Sequence, residues 1–224
     1  MNQNQIFMKG EGDAWFNRNH SHIQTVEKIK QLPDVNYLIS SLNPYRDRID
    51  KVLEIGCSNG IKLEVICNSL DAIGTGIEPS TEAVNAGNNR EKVSDITLHV
   101  GTGESLPFKE ASFDLVYFAF CLYLFDRTTL MQSLAEADRV LKPGGFLVIT
   151  DFDPGVRYKK TYSHFDGVFS YKQDYSSFYL QSGLYYLVGK HSFSHRVTNF
   201  DESQDERVST LVLYKEIEPY PFRG

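Results

Sequence analysis

The sequence is short of several things. It has three cysteines, Cys57, Cys67 and Cys121, and no Cys-x-x-Cys pair among them. That spacing excludes the usual zinc ribbon and the dithiol redox site, and an odd count without a framework fits a reducing compartment. No apolar run approaches the roughly 18 residues a membrane span needs. The first residues are polar, so no signal peptide is expected and a cytoplasmic location is. There is no Lys/Arg-rich run, and the formal net charge of −6 disfavours a surface built for phosphate backbones. Repeats and low-complexity segments are also missing.

What is present suits one domain with an appendage: 224 residues, enough to bury a sizeable core. The densest information lies at residues 50–60. Val52, Leu53 and Ile55 read as a buried strand that ends abruptly in turn formers. A helix follows near Ile61, with Leu63, Val65, Ile66 and Leu70 on its apolar face. Gly56 and Gly60 carry no Cβ and let backbone approach a ligand beyond the strand's carboxyl end, where open α/β sheets bind. The dinucleotide fingerprint would need glycine at 58 and 61. Ser58 and Ile61 stand there, so a nicotinamide oxidoreductase is a weaker reading.

A second strand runs to Glu78-Pro79-Ser80. About 20 residues beyond the first turn, Glu78 is placed to accept hydrogen bonds from a ribose diol; the plainer reading is a carboxylate at a helix start. Ile96–Val100 and Ser112–Phe120 read as a third and a fourth strand. The helix after them, from about Thr128, is expected to be capped by Asp126. Pro143-Gly144-Gly145 then turns the chain into a fifth strand that ends at Asp151-Phe152-Asp153-Pro154. Those two carboxylates read either as a base or metal site or as caps for backbone amides; no metal is expected.

Residues 1–10 are expected to be loose. Asp13 could cap a helix carrying Trp15 and Phe16. With Arg18, Asn19, His20 and His22, that helix reads either as a lid over a ligand or as a packed surface helix. Residues 33–45 suggest a second helix. Residues 155–183 are crowded with Tyr and Phe, either a substrate wall or a small satellite core. Two closing strands are expected at 184–188 and 208–214.

Glu54-x-Gly56-x-Ser58-x-Gly60 resembles motif I of the class I S-adenosylmethionine-dependent methyltransferases, with Ser58 in place of the middle glycine. Gly101-Thr102-Gly103-Glu104-Ser105-Leu106-Pro107-Phe108 resembles the family's adenine loop, with Thr102 where the family has Asp. Phe113-Asp114-Leu115-Val116 and Arg139-Val140-Leu141-Lys142-Pro143-Gly144-Gly145 are similar to its fourth strand and the turn into its fifth. The resemblance implies an α/β, doubly wound seven-stranded sheet in the order 3-2-1-4-5-7-6 with strand 7 antiparallel. An N-terminal helical lid would cover it, and an aromatic-rich insertion would follow strand 5. It divides the single domain into a cap (1–47), a cofactor-binding core (48–153), a substrate-cap insertion (154–183) and closing strands (184–224).

The cofactor implied is S-adenosylmethionine, leaving as S-adenosylhomocysteine. Its expected binding residues are Trp15, Arg18, Glu54, Gly56, Ser58, Gly60, Glu78, Pro79, Thr102, Gly103, Glu104, Phe118 and Ala119. Tyr123 stands where many relatives carry a His. Phe118-Ala119-Phe120-Cys121 lacks the Asn/Asp-Pro-Pro-Tyr clamp of enzymes that methylate nucleobase amines. Catalytic candidates are His20, Tyr123 and Asp153, with His22 and His164 also in reach. The expected acceptor is a small molecule, a sugar or polysaccharide precursor by preference, handled by a monomer or homodimer with no nucleic-acid or membrane partner. The alternative is a protein that binds the cofactor for regulation or scaffolding without methyl transfer.

Overall fold

The structure is a computed structural model that describes residues 1–19 and 26–223. Its centre is a seven-stranded sheet built of β1 (Lys51–Ile55), β2 (Ile73–Glu78), β3 (Ile96–Val100), β4 (Phe113–Ala119), β5 (Leu141–Phe152), β8 (Tyr185–Ser194) and β9 (Arg207–Lys215). The order is β3-β2-β1-β4-β5-β9-β8. The first five run parallel, and β9 is antiparallel to both its neighbours. With the separate hairpin of β6 (Tyr158–Thr161) and β7 (Phe169–Lys172) set aside, this is the expected order 3-2-1-4-5-7-6.

Side-chain alternation sends two sets of apolar residues to opposite faces. Val52, Leu115, Tyr117, Val148 and Val212 pack with Leu38 and Leu42 of α4 (Pro33–Leu42) and Leu63 and Ile66 of α5 (Ile61–Leu70). Leu53, Val116, Phe118, Leu147 and Leu213 pack with Leu134 and Ala137 of α7 (Leu130–Val140) on the other face. Both faces are thus covered, as a parallel sheet requires. Asp114 fixes the β1–β4 register. Its Oδ2 accepts from the Asp50 and Lys51 amides at 3.1 and 3.0 Å, and its Oδ1 accepts from Lys142 Nζ at 2.6 Å. Ser80 caps α6 (Thr81–Asn89) by accepting from the Ala83 amide at 3.0 Å. Asp126 accepts from the Thr128 amide one short turn before α7 begins. Among the described residues no helix is long and apolar enough to cross a membrane.

The N-terminus departs from expectation. Residues 1–10 are not loose: α1 (Gln3–Ile6) opens on an Asn2 capping box and is joined to α2 (Gly12–Asn19) through a segment, Phe7–Glu11, that kinks at Gly10 (φ +146°). Gln3 and Asn4 are buried, because their amides replace backbone partners. The Gln3 side chain donates to Phe169 O and Leu124 O, and accepts from the Phe169 amide at 2.9 Å. Asp13 lies inside this helical run and does not cap it. Its Oδ1 accepts instead from Ser80 Oγ (2.7 Å) and the Glu82 amide (3.0 Å), at the start of α6.

The aromatic insertion divides in two. β6 (Tyr158–Thr161) and β7 (Phe169–Lys172) form the hairpin. Tyr175 and Tyr179, the latter in α8 (Ser177–Leu180), sink into the core on the α7 side, and Tyr179 donates to Leu134 O at 2.9 Å.

Candidate active site

At the carboxyl ends of β1, β2, β3 and β4 lies a cleft of about 760 Å³, solvent mouth included. Its floor is backbone. The Gly56 and Cys57 amides donate to Ile77 O at 2.8 and 3.2 Å, drawing the β1–α5 turn onto β2. Gly56 has φ +80°, and a Cβ there would sit 2.7 Å from Cys121 Cβ. Ser58 also takes a left-handed φ, +49°, the conformation a glycine would hold without strain. That explains how one residue departs from the motif while the turn survives.

Glu78 faces the cleft from the end of β2. Its Oε2 accepts from the Ser58 amide (2.9 Å) and its Oε1 from the Ser80 amide (3.0 Å), which fixes the carboxylate and leaves lone pairs for a ligand. Burial pushes its pKa up to about 7, against those two amides. On the β3 side, Gly101, Thr102, Gly103 and Glu104 line the wall. Glu104 turns its Oε2 to the Asn4 side-chain amide, which also donates to Thr129 Oγ1 at 2.9 Å. Asn4, Phe7, Gly12 and Trp15 form a roof. Phe7 packs on Tyr162 of the insertion, and Arg18 pairs with Glu11 and donates to the Tyr162 hydroxyl (3.0 Å).

Of the expected residues, the cleft brings together Trp15, Gly56, Ser58, Glu78, Pro79, Thr102, Gly103, Glu104, Ala119 and Tyr123. Others lie elsewhere. Arg18 ties α2 to the insertion. Gly60 caps α5, and Phe118 is core. Glu54 is buried below the turn, where burial pushes its carboxyl up to about 8 with Lys62 opposing and Asp34 adding to the shift. Asp153 pairs with Lys190 (2.5 Å) and accepts from Ser209 Oγ (2.7 Å), outside the lining. His164 is exposed, with its ring edge-on to Tyr162. His20 and His22 lie outside the described residues.

No residue of the 155–183 insertion lines the cleft. Its hairpin braces the roof instead, through Tyr162 and Phe169. Burial raises the Tyr123 phenol far above its usual range, with the Asp151 carboxylate adding to the shift, so it stays protonated. The Cys57 and Cys121 thiols are likewise raised by desolvation, and the buried Cys57 fills space beneath the turn.

Half of the lining residues were not among those expected from the sequence, Asn4, Phe7, Phe120 and Phe125 among them. Phe120 and Phe125 follow β4 and its loop and could have been found by continuing the strand to its end. Asn4 and Phe7 carried no signal, because polar residues at a chain start do not announce burial. Asp151, one of the two carboxylates ending β5, follows the amide-capping reading: its oxygens accept from the Phe152 (2.8 Å) and Tyr123 (3.2 Å) amides.

The comparisons agree with this geometry. A family model described as "Methyltransferase domain" matches residues 53–149. Over those residues the chain is similar to a methyltransferase domain. Over 104 residues the chain is 34% identical to the demethylmenaquinone methyltransferase of Tropheryma whipplei, covering 46% of this chain and 42% of that protein. It is 30% identical over 105 residues to a fatty-acid O-methyltransferase of Mycolicibacterium smegmatis, covering 46% and 38%. The chain therefore spans less than half the length of these curated relatives. In fold it is similar to the Burkholderia thailandensis 1,6-didemethyltoxoflavin-N1-methyltransferase, described with bound 1,6-didemethyltoxoflavin and S-adenosylhomocysteine. The TM-score is 0.68 at 14% identity, over 95% of this chain and 87% of that one.

Proposed function

We propose that the chain binds S-adenosylmethionine in this cleft and transfers its methyl group to a small-molecule acceptor. The observation that carries the reading is Glu78, held by two backbone amides at the end of β2 and facing the cleft beside the Gly56–Gly60 turn. In this reading Glu78 accepts the ribose hydroxyls, the Gly101–Glu104 wall takes the adenine, and Gly56, Ser58 and Ala119 receive the amino-acid end. The bound cofactor would supply an electrophilic methyl and a neutral leaving group. The chain's own residues then contribute alignment and exclusion of water, the second through the roof of Phe7 and Trp15.

The relatives named above act, by their names, on a quinone precursor and a fatty acid, and the similar structure holds a flat heterocycle. Nothing among them supports the sugar acceptor expected from the sequence, and the aromatic end of the cleft suits an apolar or flat molecule better. The acidic net charge fits a small acceptor in the cytoplasm better than a nucleic acid. One observation favours cofactor binding without transfer: Tyr123 is held protonated, and none of the described lining residues is a histidine. Incubation with S-adenosylmethionine and a panel of phenols, quinols and fatty acids decides between the two. S-adenosylhomocysteine formed only when an acceptor is present supports transfer. Tight cofactor binding with no turnover across the panel supports the binding protein.

A further inference from the structure

Beyond the cofactor end, the cleft closes on a group of stacked rings. Phe120 stands just past β4 with φ +58°, a conformation that a bulky residue rarely holds and that gathers at functional sites. Its ring lies 4.9 Å from Phe152 and 5.3 Å from Tyr123, centroid to centroid, and stacks on His195 at 5.4 Å and 10°. Phe120 and Tyr123 both line the cleft. Across the sheet, Phe152 pairs with Val208 and Val208 with Phe193. His195, two residues beyond Phe193, therefore stands at the same sheet edge as the cleft. Its amide donates to Glu206 O at 2.7 Å, which fixes the backbone. Among the described residues the imidazole has no hydrogen-bond partner, and it is exposed.

We propose that Phe120, Tyr123 and His195 form the acceptor subsite, that it takes a planar aromatic compound bearing a hydroxyl, and that His195 accepts the hydroxyl proton. This rests on the cofactor reading of the neighbouring cleft. A flat ring standing at the edges of Phe120 and Tyr123 completes the group without placing Phe120 between its hydroxyl and the imidazole. The imidazole is the unpartnered proton acceptor beside that stack. The transfer is a simple exchange: the O–H bond breaks, its electron pair stays on the acceptor oxygen as the nucleophile, and the proton passes to a ring nitrogen. The exposed imidazolium then returns it to water.

Three charged groups face the ring: Glu206 ahead of β9, Lys172 of β7 and Arg196 beside it. Desolvation of the face that packs on the rings holds the imidazole below its usual pKa, with Glu206 opposing and the two cations assisting, so it is neutral and able to accept at pH 7. Lys172 is itself anchored, with Nζ 3.5 Å from the Phe152 ring centroid and donating to Asp205 O.

The test uses 4-nitrophenol, whose phenolate is coloured, titrated into protein saturated with S-adenosylhomocysteine. Saturable binding is expected, with the bound probe more ionised than the free probe at the same pH by about tenfold, one pKa unit. In His195→Gln, binding of S-adenosylhomocysteine is retained, the extra ionisation of the bound probe is lost, and probe affinity falls by up to about tenfold. Phe120→Leu weakens probe binding about fivefold. Equal ionisation in the wild type and His195→Gln overturns the proposal, as does absence of saturable binding or displacement of S-adenosylhomocysteine by the probe. Failure of S-adenosylhomocysteine itself to bind overturns the cofactor reading instead, so the two failures are told apart.

Discussion

The floor of the cleft and its roof are built on different principles. The floor, residues 52–60, 78–79 and 101–104, is held by sheet register and backbone hydrogen bonds, and its shape follows from where glycine can bend. The roof, residues 3–19, is held by side-chain amides and ion pairs: Gln3 on Phe169 and Leu124, Asn4 on Glu104 and Thr129, Arg18 on Glu11 and Tyr162. A floor of this kind is rigid because moving it breaks the sheet. A roof of this kind opens at the cost of a few polar contacts, each worth about 1 kcal/mol net.

The sharpest way to break the comparison is Gly56→Ala. It forces a side chain into a left-handed φ and against Cys121, so we expect a loss of about 2–4 kcal/mol in unfolding free energy, read by denaturant titration. If the floor tolerates it, the backbone account fails. Next is Glu78→Ala. Two charge-assisted hydrogen bonds to ribose would be lost, weakening S-adenosylhomocysteine binding about 100-fold or more in calorimetry.

Glu78 also gives the site a pH dependence. Its pKa in the ligand-free protein is about 7, and ribose hydroxyls donate to the ionised form. Affinity should therefore fall as pH drops below about 7, by up to about tenfold per unit, and stay flat in Glu78→Gln. The sign for folding is opposite. A raised carboxyl pKa contributes stability that is complete below the unfolded value and is lost as pH rises through about 7. The ligand-free Tm should thus decline over the pH range in which ligand affinity climbs.

The roof gives smaller effects. Gln3→Ala should weaken S-adenosylhomocysteine binding about tenfold while leaving the Tm almost unchanged, with faster amide exchange confined to residues 3–19. Smallest of all, Asp153→Asn should alter neither cofactor affinity nor stability by more than about 1 kcal/mol, since its pairing with Lys190 is partly exposed and outside the cleft.

The same contrast explains what could be read from the sequence. Strand order, the glycine turn and Glu78 announce themselves through period, spacing and residues chosen for backbone conformation. Glu54 misled because it occupies a motif position while the strand's alternation turns it beneath the sheet. Phe118 misled for the same reason, since one residue of alternation separates the core from the cleft. The burial of Gln3 and Asn4 could not be read, because nothing local marks an amide that will replace a backbone partner more than 100 residues away. Nor could the stacking of His195 on Phe120, which depends on the register of β8 against β9 and of β9 against β5.

The central claim is that residues 52–60 and 78–79 form the S-adenosyl site, and calorimetric titration of the wild type and Glu78→Ala with S-adenosylhomocysteine at pH 8 tests it most directly. The account predicts one site per chain in the wild type and a loss of about 100-fold or more in the variant. Absence of binding in the wild type, or equal affinity in the two proteins, would contradict it.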